Sequence, residues 1–289
     1  MWRGWIVEST PVQSRAKSRG RTAKLERPAI LETGSIIAAA LASSAPAGAV
    51  SPVSGTWVAE LGSQQGLPSD RYVVKDGIYS CESCQPRRRY PADGRPHAVA
   101  GAPGTSESVA IVDGAAISTR IVQPDLDRTT RMRVARDGRT ATYVSIDRRR
   151  GISGPLRTEY LARRVAPGPT GSHAVSGTWQ GIRYVSVPVR LRTTILTERG
   201  DALSYWSGSG YSYTARYGGP FVPIEGPYDG GISVSVRKDG PYRVVETRRR
   251  GSRDVQVRTY AVAPDGRRME MATTDLATGT TFRVTARRR

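Results

Sequence analysis

The chain has 289 residues and carries 44 Lys and Arg against 25 Asp and Glu, a formal charge of +19. That length suits about two domains, and a hydrophobic share of 38% is too high for a disordered chain. No apolar run nears the ~20 residues of a membrane-spanning helix, and 2 Cys with 2 His exclude a cysteine-rich scaffold and leave one poor metal site at most.

Residues 1–50 read as a leader. Arg15, Lys17, Arg19, Arg21, Lys24 and Arg27 form a basic stretch, followed by the apolar window Ile36 to Ala42. Ala45-Pro46-Ala47 and Ala47-Gly48-Ala49 then fit the small-residue cleavage rule of an export signal. The expectation is a signal peptide removed near residues 47–50 and a periplasmic or secreted protein. A disordered basic arm is the alternative.

The rest of the chain repeats itself. Val53-Ser54-Gly55-Thr56-Trp57 returns as Val175-Ser176-Gly177-Thr178-Trp179. Val134-Ala135 with Asp137-Gly138 returns as Val262-Ala263 with Asp265-Gly266, and both halves finish on Ala-Arg-Arg, at Ala162 and at Ala286. Slowly drifting offsets mark a duplicated domain with short loop insertions. The expected units are 51–165, a Pro- and Gly-rich linker at 166–174, and 175–289.

Within each copy the strand signal dominates. Arg71 to Val74 and Ile232 to Val236 are β-branched runs, the second strictly alternating. Asp76-Gly77, Asp93-Gly94, Asp113-Gly114, Asp137-Gly138, Asp239-Gly240 and Asp265-Gly266 punctuate the chain as hairpin turns. No segment after residue 50 keeps a 3.6-residue apolar period. The expected fold is all-β: two tandem small antiparallel up-and-down barrels of seven or eight strands each, since a sheet of that size must hide its edges.

Gly55-Thr56-Trp57 and Gly177-Thr178-Trp179, each opening a first strand, resemble the opening motif of lipocalins. In that family the tryptophan plugs the closed end of the barrel and an arginine from the last strand packs across it. The resemblance implies structural roles for Trp57 and Trp179, with Arg163 or Arg164 and Arg287 or Arg288 as the packing arginines. The chain also resembles exported bacterial proteins that carry two lipocalin-like repeats, whose recurring pattern is similar to Asp93-Gly94-Arg95-Pro96-His97-Ala98-Val99-Ala100-Gly101. The resemblance spans residues 53 to 289. The second and third conserved lipocalin segments are not recognisable.

Cys81-Glu82-Ser83-Cys84 sits in a strand-to-loop setting without a helix, so a local disulfide is expected rather than a redox centre. His97 and His173 have no zinc spacing and read as surface residues. No metal and no cofactor are expected. Without a nucleophile elbow, a metalloprotease helix or a phosphate loop, an enzyme is the weaker reading. Tyr205, Trp206, Tyr211, Tyr213 and Tyr217 form a dense aromatic cluster and are the candidate ligand-binding residues.

All basic residues but Lys17, Lys24, Lys75 and Lys238 are arginine, with triplets at 87–89, 148–150, 248–250 and 287–289. These read as solvated strand ends and loops, or as a footprint for anionic polymers or lipids. Nucleic acid is not the expected partner, because the tyrosines lie in alternating strands rather than among the charges. The expectation is an exported, non-enzymatic tandem barrel protein that binds a small apolar or amphipathic ligand. The first alternative is an envelope module that binds anionic polymers or lipids through arginine, and the second is an enzyme on the same scaffold.

Overall fold

The computed structural model describes residues 51–84, 86–226 and 231–289. The leader expected at 1–50 lies outside them. The first half of the chain forms β1 (Gly55–Ala59), β2 (Ser69–Lys75), β3 (Ile78–Cys81), β4 (Arg88–Pro91), β5 (His97–Ala98), β6 (Ser106–Asp113), β7 (Ala116–Gln123), β8 (Leu126–Val134), β9 (Thr140–Arg149) and β10 (Leu156–Pro167). The second half forms β11 (Gly177–Ser186), the short helix α1 (Val189–Arg192), β12 (Thr193–Arg199), β13 (Ala202–Ser207), β14 (Ser212–Arg216), β15 (Val222–Pro223), β16 (Ile232–Lys238), β17 (Arg243–Arg250), β18 (Arg253–Val262), β19 (Arg268–Asp275) and β20 (Thr281–Arg288). The chain is all-β, as expected, and its strands form two 10-stranded antiparallel sheets.

Each sheet curls until its edges approach. Barrel I runs β4-β3-β2-β11-β10-β9-β8-β7-β6-β5 and comes together through an isolated bridge between Asp93 and Ala110. Barrel II runs β14-β13-β12-β1-β20-β19-β18-β17-β16-β15, and bridges Ser212–Glu225 and Tyr217–Val236 join its edges. Ten strands replace the expected seven or eight. One of the extra strands in each sheet is a two-residue strand at its end, β5 or β15.

The barrels do not follow the repeats. The first strand of the first copy, β1, pairs with β12 and β20 in barrel II. The first strand of the second copy, β11, pairs with β10 and β2 in barrel I. The two copies have exchanged first strands, so the unit boundary expected at 166–174 is not a boundary between sheets. Residues 168–176 form the turn of a long β10–β11 hairpin, with Ser172 N–H donating to Pro169 O at 3.0 Å and Ser176 N–H to His173 O at 2.8 Å.

The crossings occur elsewhere, at 60–68 and 187–192. The first runs along β20 through the Gln65–Arg283 bridge, then turns at Gly66 (φ 68°), where a Cβ would lie 2.0 Å from Thr281 O. Only glycine fits there. Leu67 follows, buried and in the same apolar cluster as Tyr184 of β11. The second crossing passes through α1, whose Arg192 donates from Nη1 to Ala59 O of β1 at 2.7 Å.

The Asp-Gly turns work by two devices. At Asp76-Gly77 both residues are left-handed (φ 52° and 71°), and Asp76 is the only described non-glycine residue with positive φ. At Asp93, Asp113, Asp137 and Asp265 the carboxylate instead accepts the N–H of the second residue on, at 2.8 to 2.9 Å. Such Asx turns do not need positive φ at the aspartate itself. Asp93 and Asp113 are held below the usual carboxylate range, Asp93 chiefly by His97 and Asp113 chiefly by the Ala115 N–H.

Candidate functional site

The strand exchange sets the partner of each plug. Trp57 is 0% exposed in barrel II, where its Nε1–H donates to Val53 O at 3.0 Å and Arg288 Cζ lies 4.6 Å from the ring centroid. Trp179 is 1% exposed in barrel I, where it donates to Val175 O at 2.8 Å and Arg164 Cζ lies 4.3 Å away. Arg164 and Arg288 are therefore the packing arginines, and each meets the other copy's tryptophan. Arg163 points to solvent, and Arg287 pairs with Glu60. Gly177 (φ 141°) precedes Thr178 because a Cβ there would lie 2.6 Å from Ala166 O and 3.4 Å from Arg164 Nη1. The motif glycine lets the guanidinium approach the indole.

The aromatic cluster proposed from the sequence divides. Tyr205 and Tyr213 are buried cross-strand partners inside barrel II, stacked at 5.0 Å and 11°. Trp206 is next to Tyr205 in an alternating strand and so takes the outer face. Tyr211 is half-buried at the β13–β14 turn. Tyr217 sits past the end of β14, where its hydroxyl donates to Glu198 and Lys238 Nζ lies 4.8 Å from its ring. Two of the five converge.

What they converge on was not singled out from the sequence. Glu246 is 0% exposed and accepts from Tyr213 Oη at 2.6 Å, from Tyr260 Oη at 2.8 Å and from Arg248 Nε. Arg258 Nη1 approaches Tyr205 Oη at 3.4 Å, and its Nε donates to Thr273 Oγ1 at 3.1 Å. Burial pushes the Glu246 carboxyl up, but the charges of Arg248 and Arg258 and the hydrogen bonds outweigh it and hold it at about 2. Barrel II thus encloses a carboxylate whose neighbours satisfy it.

Barrel I carries a different interior. Arg128 grips Asp147 through Nε at 2.7 Å and Nη2 at 2.9 Å, and Arg149 Nη2 adds 2.8 Å. Burial pushes Asp147 up, but these two guanidiniums bring it below the usual range. Elsewhere in the barrel Arg88 Nη1 donates to Glu107 Oε2 at 2.9 Å, with Glu107 fully buried. Around this pair stand tyrosine rings: Tyr72 on Tyr79 at 6.2 Å, Tyr79 on Tyr90 at 5.8 Å, and Tyr90 on His97 at 5.2 Å. The hydroxyls of Tyr79 and Tyr90 have no hydrogen-bond partner among the described residues.

The two interiors correspond only at one edge of each sheet. Cys81 faces Arg88 across β3–β4, as Tyr205 faces Tyr213 across β13–β14. Arg88 and Tyr213, at matching places, each bind a fully buried carboxylate, Glu107 from β6 and Glu246 from β17. The arginine triplets also gain an explanation. One arginine of each turns to a specific partner: Arg88 to Glu107, Arg149 to Asp147, Arg248 to Glu246 and Arg288 to Trp57. In β17 the two-residue spacing of Val244, Glu246 and Arg248, which puts them on one face, was the available signal.

Cys81 and Cys84 form a disulfide with Cα atoms 5.4 Å apart, in the β3–β4 connection beside Arg88. His97 Nε2 lies 3.0 Å from Asp93, and His173 Nε2 lies 2.7 Å from Asp113 O. Among the described residues no group of three or more His, Cys, Asp or Glu is arranged to hold a metal ion, and no helix is long and apolar enough to cross a membrane. Comparison with family models, with curated proteins and with solved structures found no match.

Proposed function

We propose that this is an exported, non-enzymatic, lipocalin-like protein that holds a small amphipathic ligand inside a barrel. The observation that carries the reading is an interior lined by tyrosine rings with buried charged pairs and free hydroxyls among them. An apolar filling would close a small barrel at less desolvation cost. Rings and hydroxyls together offer a ligand both stacking area and hydrogen bonds. The Cys81–Cys84 disulfide supports an oxidising compartment, periplasmic or extracellular, reached by removal of the leader near residues 47–50. The anionic-polymer alternative draws less support, because an arginine of each triplet is spent on a specific internal partner. Native mass spectrometry of protein recovered from its compartment, compared with the denatured mass, tests the reading. A bound molecule lost on denaturation is expected, and a bare native mass counts against a carrier.

A further inference from the structure

Resting on the reading that a barrel of this protein holds a ligand, we infer that barrel I is that barrel and that the hydroxyls of Tyr79 and Tyr90 receive an uncharged, planar, oxygen-bearing aromatic molecule. The contrast between the two interiors points there. In barrel II the tyrosines Tyr213 and Tyr260 donate to Glu246, so their hydrogen bonding is complete within the protein. In barrel I Tyr79 is 0% exposed and Tyr90 9% exposed, and neither hydroxyl finds a partner among the described residues. Leaving such groups buried and unpaired is costly, and the cost is recovered when a molecule supplies the missing partner.

The surroundings define the class of molecule. Tyr79 and Tyr90 belong to one run of ring contacts from Tyr72 to His97, which suits a flat partner. Two hydroxyls that each donate and accept call for hydroxyl or carbonyl oxygen on the ligand. The charged groups acting on Tyr79 are Glu107, Arg88 and Asp70, two negative and one positive, with Arg88 already engaged by Glu107. That balance disfavours an anion. Tyr90 lies next to the seam of barrel I. Tyr90 stands on the end strand β4, and the seam is joined by the Asp93–Ala110 bridge with the Gly94 N–H donating to Val109 O at 2.8 Å.

The test titrates the full chain at pH 7 with 2-naphthol, naphthalene and 2-naphthoate, by calorimetry. 2-Naphthol is expected to bind at least about tenfold tighter than either comparison compound, since one hydrogen bond to a buried group is worth about that factor. Tyr79→Phe and Tyr90→Phe are each expected to weaken 2-naphthol about fivefold to tenfold, while Tyr213→Phe in barrel II leaves it unchanged. At positions 79 and 90 phenylalanine keeps the ring and removes a hydroxyl with no partner among the described residues, so the fold should survive. If a variant fails to fold, the comparison of the three compounds on the native chain still decides. Unchanged binding in both variants, an equal loss in Tyr213→Phe, tightest binding of 2-naphthoate, or no binding of 2-naphthol overturns the inference. A native spectrum that still shows a released molecule would then leave the carrier reading standing, and a bare spectrum would remove both.

Discussion

Arg288, at the end of β20, lies across the indole of Trp57, from the first strand of the fold, with Cζ 4.6 Å from the ring centroid. The two ends of the described chain thus meet in one barrel. Arg288 also donates to Pro52 O, and Arg289 N–H donates to Thr56 O at 2.9 Å, so the contact is part of a wider seal. Arg164 repeats the arrangement on Trp179 with three carbonyl bonds, to Gly138, Ser176 and Ala174. Because each tryptophan belongs to one copy and its barrel to the other, neither copy can close its own barrel without its sister.

That crossing can be measured by coupling. A double-mutant cycle on Trp57→Leu and Arg288→Gln should give an interaction of about 0.5–1 kcal/mol, the range of a partly exposed cation–π contact. The cycle on Trp57→Leu and Arg164→Gln should give none, because Arg164 sits on Trp179. Urea unfolding of the single and double variants reads both values. Coupling of Trp57 to Arg164 instead would mean that each copy keeps its own first strand.

The strand class and the hairpin turns were legible in the sequence because they rest on local spacing, and the duplication because its motifs recur at nearly constant offset. Arginine packing on Trp57 and Trp179 was what the lipocalin resemblance implied. The exchange was not legible. Gly55-Thr56-Trp57 and Gly177-Thr178-Trp179 present the same pattern to any partner, so either sheet could accept either strand. The choice lies in the connections, where the 168–176 turn favours a hairpin and Gly66 lets the chain leave β20. The aromatic cluster divides between faces for a different reason. Tyr205 and Trp206 are adjacent in sequence yet face opposite sides of a strand, and density of aromatics says nothing about parity. Glu246 and Arg248 were within reach of a parity argument, since they share a face with Val244. Glu107 was harder, because its partner Arg88 comes from a separate strand and nothing local ties them together.

Reduction of the Cys81–Cys84 bond should lower stability only modestly. The closed loop spans a sequence separation of 3, and a loop that short restricts the unfolded chain by about 2 kcal/mol on the chain-entropy account. Thermal melts with and without reductant should therefore differ by several degrees, with the fold kept. Global unfolding on reduction would show that the β3–β4 connection depends on the bond far more than its loop length implies.

Acid should destabilise the protein partly through Glu246. Its folded value, about 2, lies below the ordinary 4.5, so its contribution is fully present above pH 4.5 and is lost as pH falls towards 2. The full difference amounts to about 3 kcal/mol. Glu246→Gln lacks the titrating group, and it should be less stable than the native chain at pH 6, with the gap narrowing between pH 4.5 and 2. Urea midpoints across that interval measure it. Parallel curves for the two proteins would mean that Glu246 titrates alike in the folded and unfolded chain.

Asp147 and Asp275 stand at matching places in the duplicated strands β9 and β19, and the same substitution should cost them differently. Asp147 faces Arg128 across the sheet and is gripped by both Arg128 and Arg149 with almost no exposure. Asp275 faces Gln256 and turns instead to its own hairpin, where its Oδ1 accepts Ala277 N–H and Thr278 N–H, each at 2.9 Å. Asp147→Asn removes the buried carboxylate charge that Arg128 and Arg149 share, which should cost about 3–5 kcal/mol. Asp275→Asn keeps an oxygen able to accept in the turn and should cost less than about 1 kcal/mol. Equilibrium unfolding of the two variants side by side gives the comparison. Equal losses would mean that the buried ion pair of barrel I is screened by water, and that its interior is wetter than the exposure of Arg128 and Asp147 indicates.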